Sequence, residues 1–215
     1  MKPVIDCDDF YQLRNFRSKA GEPPLEILEF LPTQGNWTEE EYMLLIEKYG
    51  IEYTDGFLEI LPPVTSWHQQ TIMFLLSELE RFYKNGVGGN SCFYGLRVKL
   101  PNSKLTKYRE PDIIYVSDEH KSWTGNTFWS GADLVMEVVL PKGRKRDLVT
   151  KRADYAEARI PEYWIVDPKH ECIAVLKLQG TEYIDHGIYK KGERAVSALL
   201  KGFSVDVTTA VKMEF

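Results

Sequence analysis

The 215-residue sequence lacks any apolar run approaching the roughly 18 residues that a membrane-spanning helix needs. Its first residues, Met1–Phe16, hold no apolar h-region, so we expect no secretory signal and a cytoplasmic location. Cysteine is scarce: Cys7, Cys92 and Cys172 are isolated and odd in number. There is no Cys-x-x-Cys pair, and His68, His120, His170 and His186 are equally scattered. Ordinary zinc-ligand spacing is therefore excluded, and the thiols read as buried structural groups in a reducing compartment. A basic balance is missing too. The net charge is −5, which argues against broad nonspecific nucleic-acid binding and leaves only local charge to support it. Internal repeats and low-complexity tracts are absent.

What is present suits a globular chain. Hydrophobic residues make up 43% and charged residues 27%, and this length buries about 70% of the unfolded surface. The breaker cluster Gly21-Glu22-Pro23-Pro24 marks residues 1–35 as an N-terminal extension, with one domain over 36–215. Thr38-Glu39-Glu40-Glu41 reads as a capping box, with a helix following through Tyr42, Leu45, Ile46 and Tyr49 to Gly50. Alternating residues around Asp55-Gly56 predict a hairpin. Ile72, Leu75, Leu76, Leu79, Phe82 and Tyr83 form the stripe of a helix over Ser66–Lys84. Strands are expected over 91–100, 111–117 and 132–140. A polar helix is expected over 144–159, a strand over 162–167, and tail strands over 171–178, 181–189 and 194–207. This order gives an α/β fold with a mixed central sheet flanked by helices and a strand-rich C-terminal part.

Glu137 interrupts the apolar strand Ala132–Leu140, where a carboxylate is costly unless it is paired or binds a metal. Asp112 follows Pro111 at the mouth of the apolar run Ile113–Val116. If those strands are neighbours, the two carboxylates converge on one hard cation such as Mg²⁺. Taken alone, Glu137 reads equally as a salt-bridged residue and Asp112 as a turn residue. The segment Lys142–Arg152 carries six basic residues and one acid, a net of +5. It reads either as a solvated helix face or as a phosphate-facing patch. A 3.6-residue period places Arg144, Lys151 and Tyr155 near one helix face, from which Lys151 can reach the cation. Two carboxylates, a metal and a lysine suffice for phosphodiester hydrolysis without a Ser or Cys nucleophile.

Several segments together resemble the Uma-type putative restriction endonucleases of the PD-(D/E)XK nuclease superfamily. They are Glu110-Pro111-Asp112, Gly131–Val139, Arg146–Ala156 and Ile160–Pro168, supported by Trp37–Glu40, the Asp55-Gly56 hairpin and His68-Gln69. The resemblance runs from about residue 36 to the C-terminus. It implies a restriction-endonuclease-like core and Mg²⁺-dependent (or Mn²⁺-dependent) cleavage of DNA. Asp112 and Glu137 match the motif acids, the Val138 carbonyl matches a further metal ligand, and Lys151 matches the motif lysine. The superfamily position for that lysine is here Val139. Where the family often has Glu after Asp-Gly, this chain has Phe57, with Glu59 as a substitute acid. His68 and Gln69 match a family pair, so Glu59, His68, Gln69 and Tyr155 are accessory candidates. Arg144, Lys145, Arg146 and Arg152 are DNA-contact candidates. Two other readings stand beside the nuclease: a catalytically degenerate DNA- or protein-binding module of the same fold, and a hydrolase of small phosphate esters. A homodimer is left open. Tyr183, Tyr189 and Phe203 read mainly as core and alternatively as its interface.

Overall fold

A computed structural model describes residues 32–45, 50–141 and 143–212. The capping box forms as the sequence predicts: the Thr38 hydroxyl accepts from Glu41 N, and the Glu41 carboxylate accepts from Thr38 N. The helix it starts, α1, spans Glu39–Leu44 and stops short of the expected Leu45, which is extended at ψ 116°; Ile46 and Tyr49 lie outside the described residues. The hairpin is β1 (Ile51–Thr54) and β2 (Phe57–Ile60). Asp55 and Gly56 have φ of 44° and 88°, the left-handed pair of a type I′ turn. A Cβ on Gly56 would stand 2.7 Å from the Gly35 carbonyl oxygen, so the turn needs glycine there. Gln34 and Gly35 bond to this hairpin, which joins residues expected as extension to the folded part.

Helix α2 spans Ser66–Lys84, capped by Thr65. Then come β3 (Asn90–Phe93), β4 (Arg97–Lys99), β5 (Lys107–Arg109), β6 (Ile113–Val116), β7 (Phe128–Trp129) and β8 (Leu134–Val138). The strand expected over 91–100 is two strands. Gly95 turns the chain between them at φ 86°, so β3 and β4 enter different sheets. After β8 the chain forms a π-helical stretch, Arg146–Lys151, continuing as α3 (Arg152–Glu157). The C-terminal part holds β9 (Glu162–Asp167), β10 (Cys172–Gln179), β11 (Glu182–Lys190), β12 (Arg194–Val196), β13 (Ser204–Asp206) and the short α4 (Val207–Ala210). The stretch expected as one strand over 194–207 is thus β12, a loop and β13.

The six-stranded sheet has the order β11-β10-β9-β8-β6-β3 and is mixed: β8 and β9 run parallel and the other pairs antiparallel. A parallel pair needs a crossover, which the π/α3 helix provides. A second sheet, β2-β1-β5-β4-β7, carries the hairpin. Alternation along β8 divides the core between the faces of the larger sheet. Leu134, Met136 and Val138 pack with Leu75 and Leu79 of α2, two fully buried leucines that contribute about 1.5–3 kcal/mol each over exposure. Val135 and Val139 pack with Tyr155 and Ala156 on the opposite face. The expected polar helix is therefore polar on one side only.

The tail belongs to the core. Tyr183 and Phe203 are buried, and Tyr189 packs partly buried against the α2 cluster. Glu162, fully buried at the start of β9, accepts hydrogen bonds of 2.6 Å from Trp164 Nε1, Ser197 Oγ, Ala198 N and Leu199 N. It ties the 197–199 loop to the central sheet. Among the described residues no helix is long and apolar enough to cross a membrane. Cys92 and Cys172 are free thiols and only partly buried, short of the full burial expected, and Cys7 lies outside the described residues.

Candidate active site

Strands β6 and β8 are antiparallel neighbours in the register Ile113↔Met136. One step further along that register sets Asp112 opposite Glu137. Both side chains fall on the α3 face of the sheet, like Ile114 and Val135. Asp112 is 8% exposed and Glu137 3%. Val138 N donates to Asp112 Oδ2 at 2.7 Å, which fixes the first carboxylate against the strand carrying the second.

The π-helical stretch aims its side chains at these acids. Lys151 Nζ donates to Glu137 Oε1 at 2.6 Å and lies 3.0 Å from Glu52 Oε1. Tyr155 OH donates to the same Glu137 oxygen at 2.6 Å. From the start of α2, His68 Nε2 stands 3.0 Å from the Val138 carbonyl oxygen and 3.3 Å from Asp112 Oδ2. A cleft lined by His68, Glu110, Asp112, Glu137, Arg146 and Asp147, among others, opens beside these groups. It offers about 20 Å³ of water-sized space, room for about one water or one bare cation.

Residues 39–208 match the family described as "Uma2: Putative restriction endonuclease". The chain belongs to the Uma2 family. No curated protein matches it. Among solved structures it resembles one described as a "putative nuclease belonging to DUF820" from Anabaena variabilis ATCC 29413. The TM-score is 0.65 at 14% identity, over 80% of this chain and 96% of that one. The likeness shows the fold, a restriction-endonuclease-like mixed sheet flanked by helices.

Against this Uma2 fold the expected site residues divide. Asp112, Glu137, Lys151 and His68 line the cleft, and Tyr155 reaches it only through its bond to Glu137. Gln69 is exposed on the helix surface and takes no part. Glu59 has a side chain 63% exposed, with Arg146 NH1 3.6 Å away as its charged neighbour. The hairpin acid inside the cluster is instead Glu52, directly opposite Glu59 in register and 2% exposed. Arg144 does not share the Lys151 face. It pairs with Asp167 and contacts His170. The reason is the winding: i→i+5 turns over Arg146–Lys151 replace the expected 3.6-residue period. The buried helix face carries Asp147, Lys151 and Tyr155. Arg152 turns to the Tyr183 carbonyl and Asp185 on another side, and Lys145 is exposed. The four basic residues therefore form no single patch, and Arg146 alone of them lines the cleft. Lys142 lies outside the described residues.

Acids outnumber bases around the cleft. Glu52, Asp112, Glu137 and Asp147 face two cations, Lys151 and Arg146. Burial pushes the Glu137 carboxyl up to about 8, with Lys151 pulling it down and Asp112, Asp147 and Glu52 adding to the rise. Burial likewise raises Asp147 to about 6 and Glu110 to about 7. Burial works against the Lys151 charge, but Glu137 and Glu52 outweigh it and hold the proton on the amine. Burial also opposes the His68 charge, and Asp112 more than offsets this. Among the described residues, four buried side-chain polar atoms lack a partner: His68 Nδ1, Glu110 Oε2, Arg146 Nε and Asp147 Oδ1. All four residues line this one cleft. Two of them, Arg146 Nε and Asp147 Oδ1, stand 3.6 Å apart, and polar atoms left unpaired in one place call for an explanation.

The donor set fits a hard cation. Asp112 engages Oδ2 with Val138 N and His68, and Glu137 engages Oε1 with Lys151 and Tyr155. The other oxygen of each carboxylate takes none of these bonds. Among the described residues no three His, Cys, Asp or Glu side chains cage a metal by themselves. Mg²⁺ requires only one or two carboxylates, with water and substrate oxygens completing its shell.

Proposed function

We propose that this protein is a Mg²⁺-dependent endonuclease that hydrolyses phosphodiester bonds of DNA. The observation that supports it best is the meeting of Asp112, Glu137 and Lys151 beside a cleft with room for one cation. Asp112 and Glu137 would hold Mg²⁺ or Mn²⁺ through their unengaged oxygens. The Val138 carbonyl, with one lone pair toward His68 Nε2 at 3.0 Å, has a second to offer the same cation. A divalent cation held there supplies positive charge against a phosphate and acidifies nearby water. Lys151, fixed between Glu137 and Glu52, places an ammonium where negative charge develops in the transition state. Tyr155 holds Glu137 in its rotamer. In the net reaction a water oxygen bonds to phosphorus, a phosphorus–oxygen ester bond breaks, and the leaving oxygen takes up a proton.

The test is cleavage of supercoiled plasmid and short duplexes in Mg²⁺ or Mn²⁺. Wild type should cut, and Glu137→Ala should lose at least about 10²-fold in rate. Equal cleavage by the two proteins would remove Glu137 from the reaction. Duplex binding with neither cleavage nor Mn²⁺ uptake would favour a binding module of the same fold.

A further inference from the structure

Among the basic residues of the cleft region, Arg146 has its donors unengaged. Lys151 is held by Glu137 and Glu52, Arg144 by Asp167, and Arg152 by the Tyr183 carbonyl. The Arg146 side chain makes no hydrogen bond among the described residues. Its nearest acids, Glu59 Oε1 and Asp147 Oδ1, both stand 3.6 Å away, beyond bonding distance. Its Nε is buried without a partner, and its side chain is only 16% exposed. A guanidinium presents five N–H donors in a planar fork, and leaving buried donors unfilled costs free energy. Asp147 Oδ1, itself without a hydrogen bond, faces that Nε at 3.6 Å, so the outer N–H groups of the fork are the ones left for an acceptor from outside.

The surroundings define that acceptor. The cleft space suits one water or ion, too small for a base or sugar, so a ligand can present only a compact group at its mouth. That group must be anionic to match the fork, and a tetrahedral phosphate takes it with two parallel bonds. Glu59, largely exposed on β2, is a weakly held neighbour that an incoming anion can displace. We infer that Arg146 is a substrate-contacting residue that clamps the reacting phosphate at the mouth of the Asp112–Glu137 cleft. This rests on the phosphodiester reading above.

The experiment has a binding arm and a cleavage arm. Duplex affinity is measured over a salt series in Ca²⁺, with the duplex checked to be intact, and cleavage is measured in Mg²⁺. Arg146→Met keeps the buried stem and removes the fork. It should lower the slope of log K against log salt by about 1, as expected for one lost phosphate contact, and slow cleavage by about 10²-fold. Arg146→Lys keeps the charge; it should retain the slope and lose about tenfold in rate because a point charge replaces the fork. Lys177→Ala, an exposed cation paired in register with Glu162 at the far end of the sheet, should change neither. A thermal melt establishes that each variant is folded. Unchanged slope and rate in Arg146→Met, or in Arg146→Lys should Arg146→Met not fold, overturns the clamp while leaving the nuclease reading intact. An Arg146-dependent slope in a wild type that never cuts keeps the clamp and overturns the nuclease reading. Absence of any duplex binding overturns both.

Discussion

Lys151 is the residue on which the cluster depends. Its side chain is 1% exposed and touches both Glu137 and Glu52. Without it Glu137 loses its cationic partner and Glu52 keeps only Arg109, 3.7 Å away, so Lys151→Met should cost about 3–5 kcal/mol in urea unfolding with EDTA present. A divalent cation brings charge to the same acids, and Mn²⁺ should recover part of that loss. An equal loss with and without Mn²⁺ would mean that no cation enters the cleft. Glu137 is legible in the sequence because a charge inside an apolar strand contradicts its surroundings. Glu52 and Asp147 are not legible. Glu52 sits in a hairpin, where an acid reads as the solvent side, and it is buried only because Lys151 and Arg109 arrive from distant elements. Asp147 stands in a run of cations and reads as their solvated counter-charge. Each becomes visible only when the helix is folded onto the sheet.

The end of α3 is fastened to the second sheet by an acid. Glu157 accepts from Lys107 Nζ at 2.9 Å, Ser103 Oγ at 2.9 Å and Lys104 N at 3.2 Å. The Lys107 bond leads in lowering its carboxyl to about 2, from an ordinary 4.5. An acid with a depressed folded pKa stabilises above its unfolded value and loses that contribution as pH falls through the folded one. Glu157→Gln should therefore flatten the decline of Tm between pH of about 4.5 and about 2. The effect should stay below about 1 kcal/mol because the side chain is partly exposed. Parallel declines in the two proteins would show that the clamp contributes nothing. Helix α2 and strands β6, β8 and β9 are readable because each is long enough to show a period or an apolar run. Strands β4, β5 and β7 have three, three and two residues, too few for any pattern, and their sheet rests on pairings between distant segments. The π winding escapes a reading that assumes 3.6 residues per turn, which is why the Lys151 face was expected to include Arg144.

Across the whole molecule, the acidic balance of −5 coexists with basic residues that the fold scatters to the cleft, to Asp167 and to the β11 side. The two sheets meet at the cluster, since Glu52 comes from one and Asp112 and Glu137 from the other. Glu162 does the corresponding task at the opposite end of β9, gathering four donors on one buried carboxylate. Its consequence concerns how the molecule opens. The segment after β11 cannot fray by itself, because pulling the 197–199 loop away would strip a buried charge of most of its partners. Tail and central sheet should therefore exchange their amide hydrogens as one cooperative unit. Hydrogen exchange at Ala198 and Leu199 is expected to require the same opening free energy as β9, and rapid exchange at those two amides beside a protected β9 would contradict it.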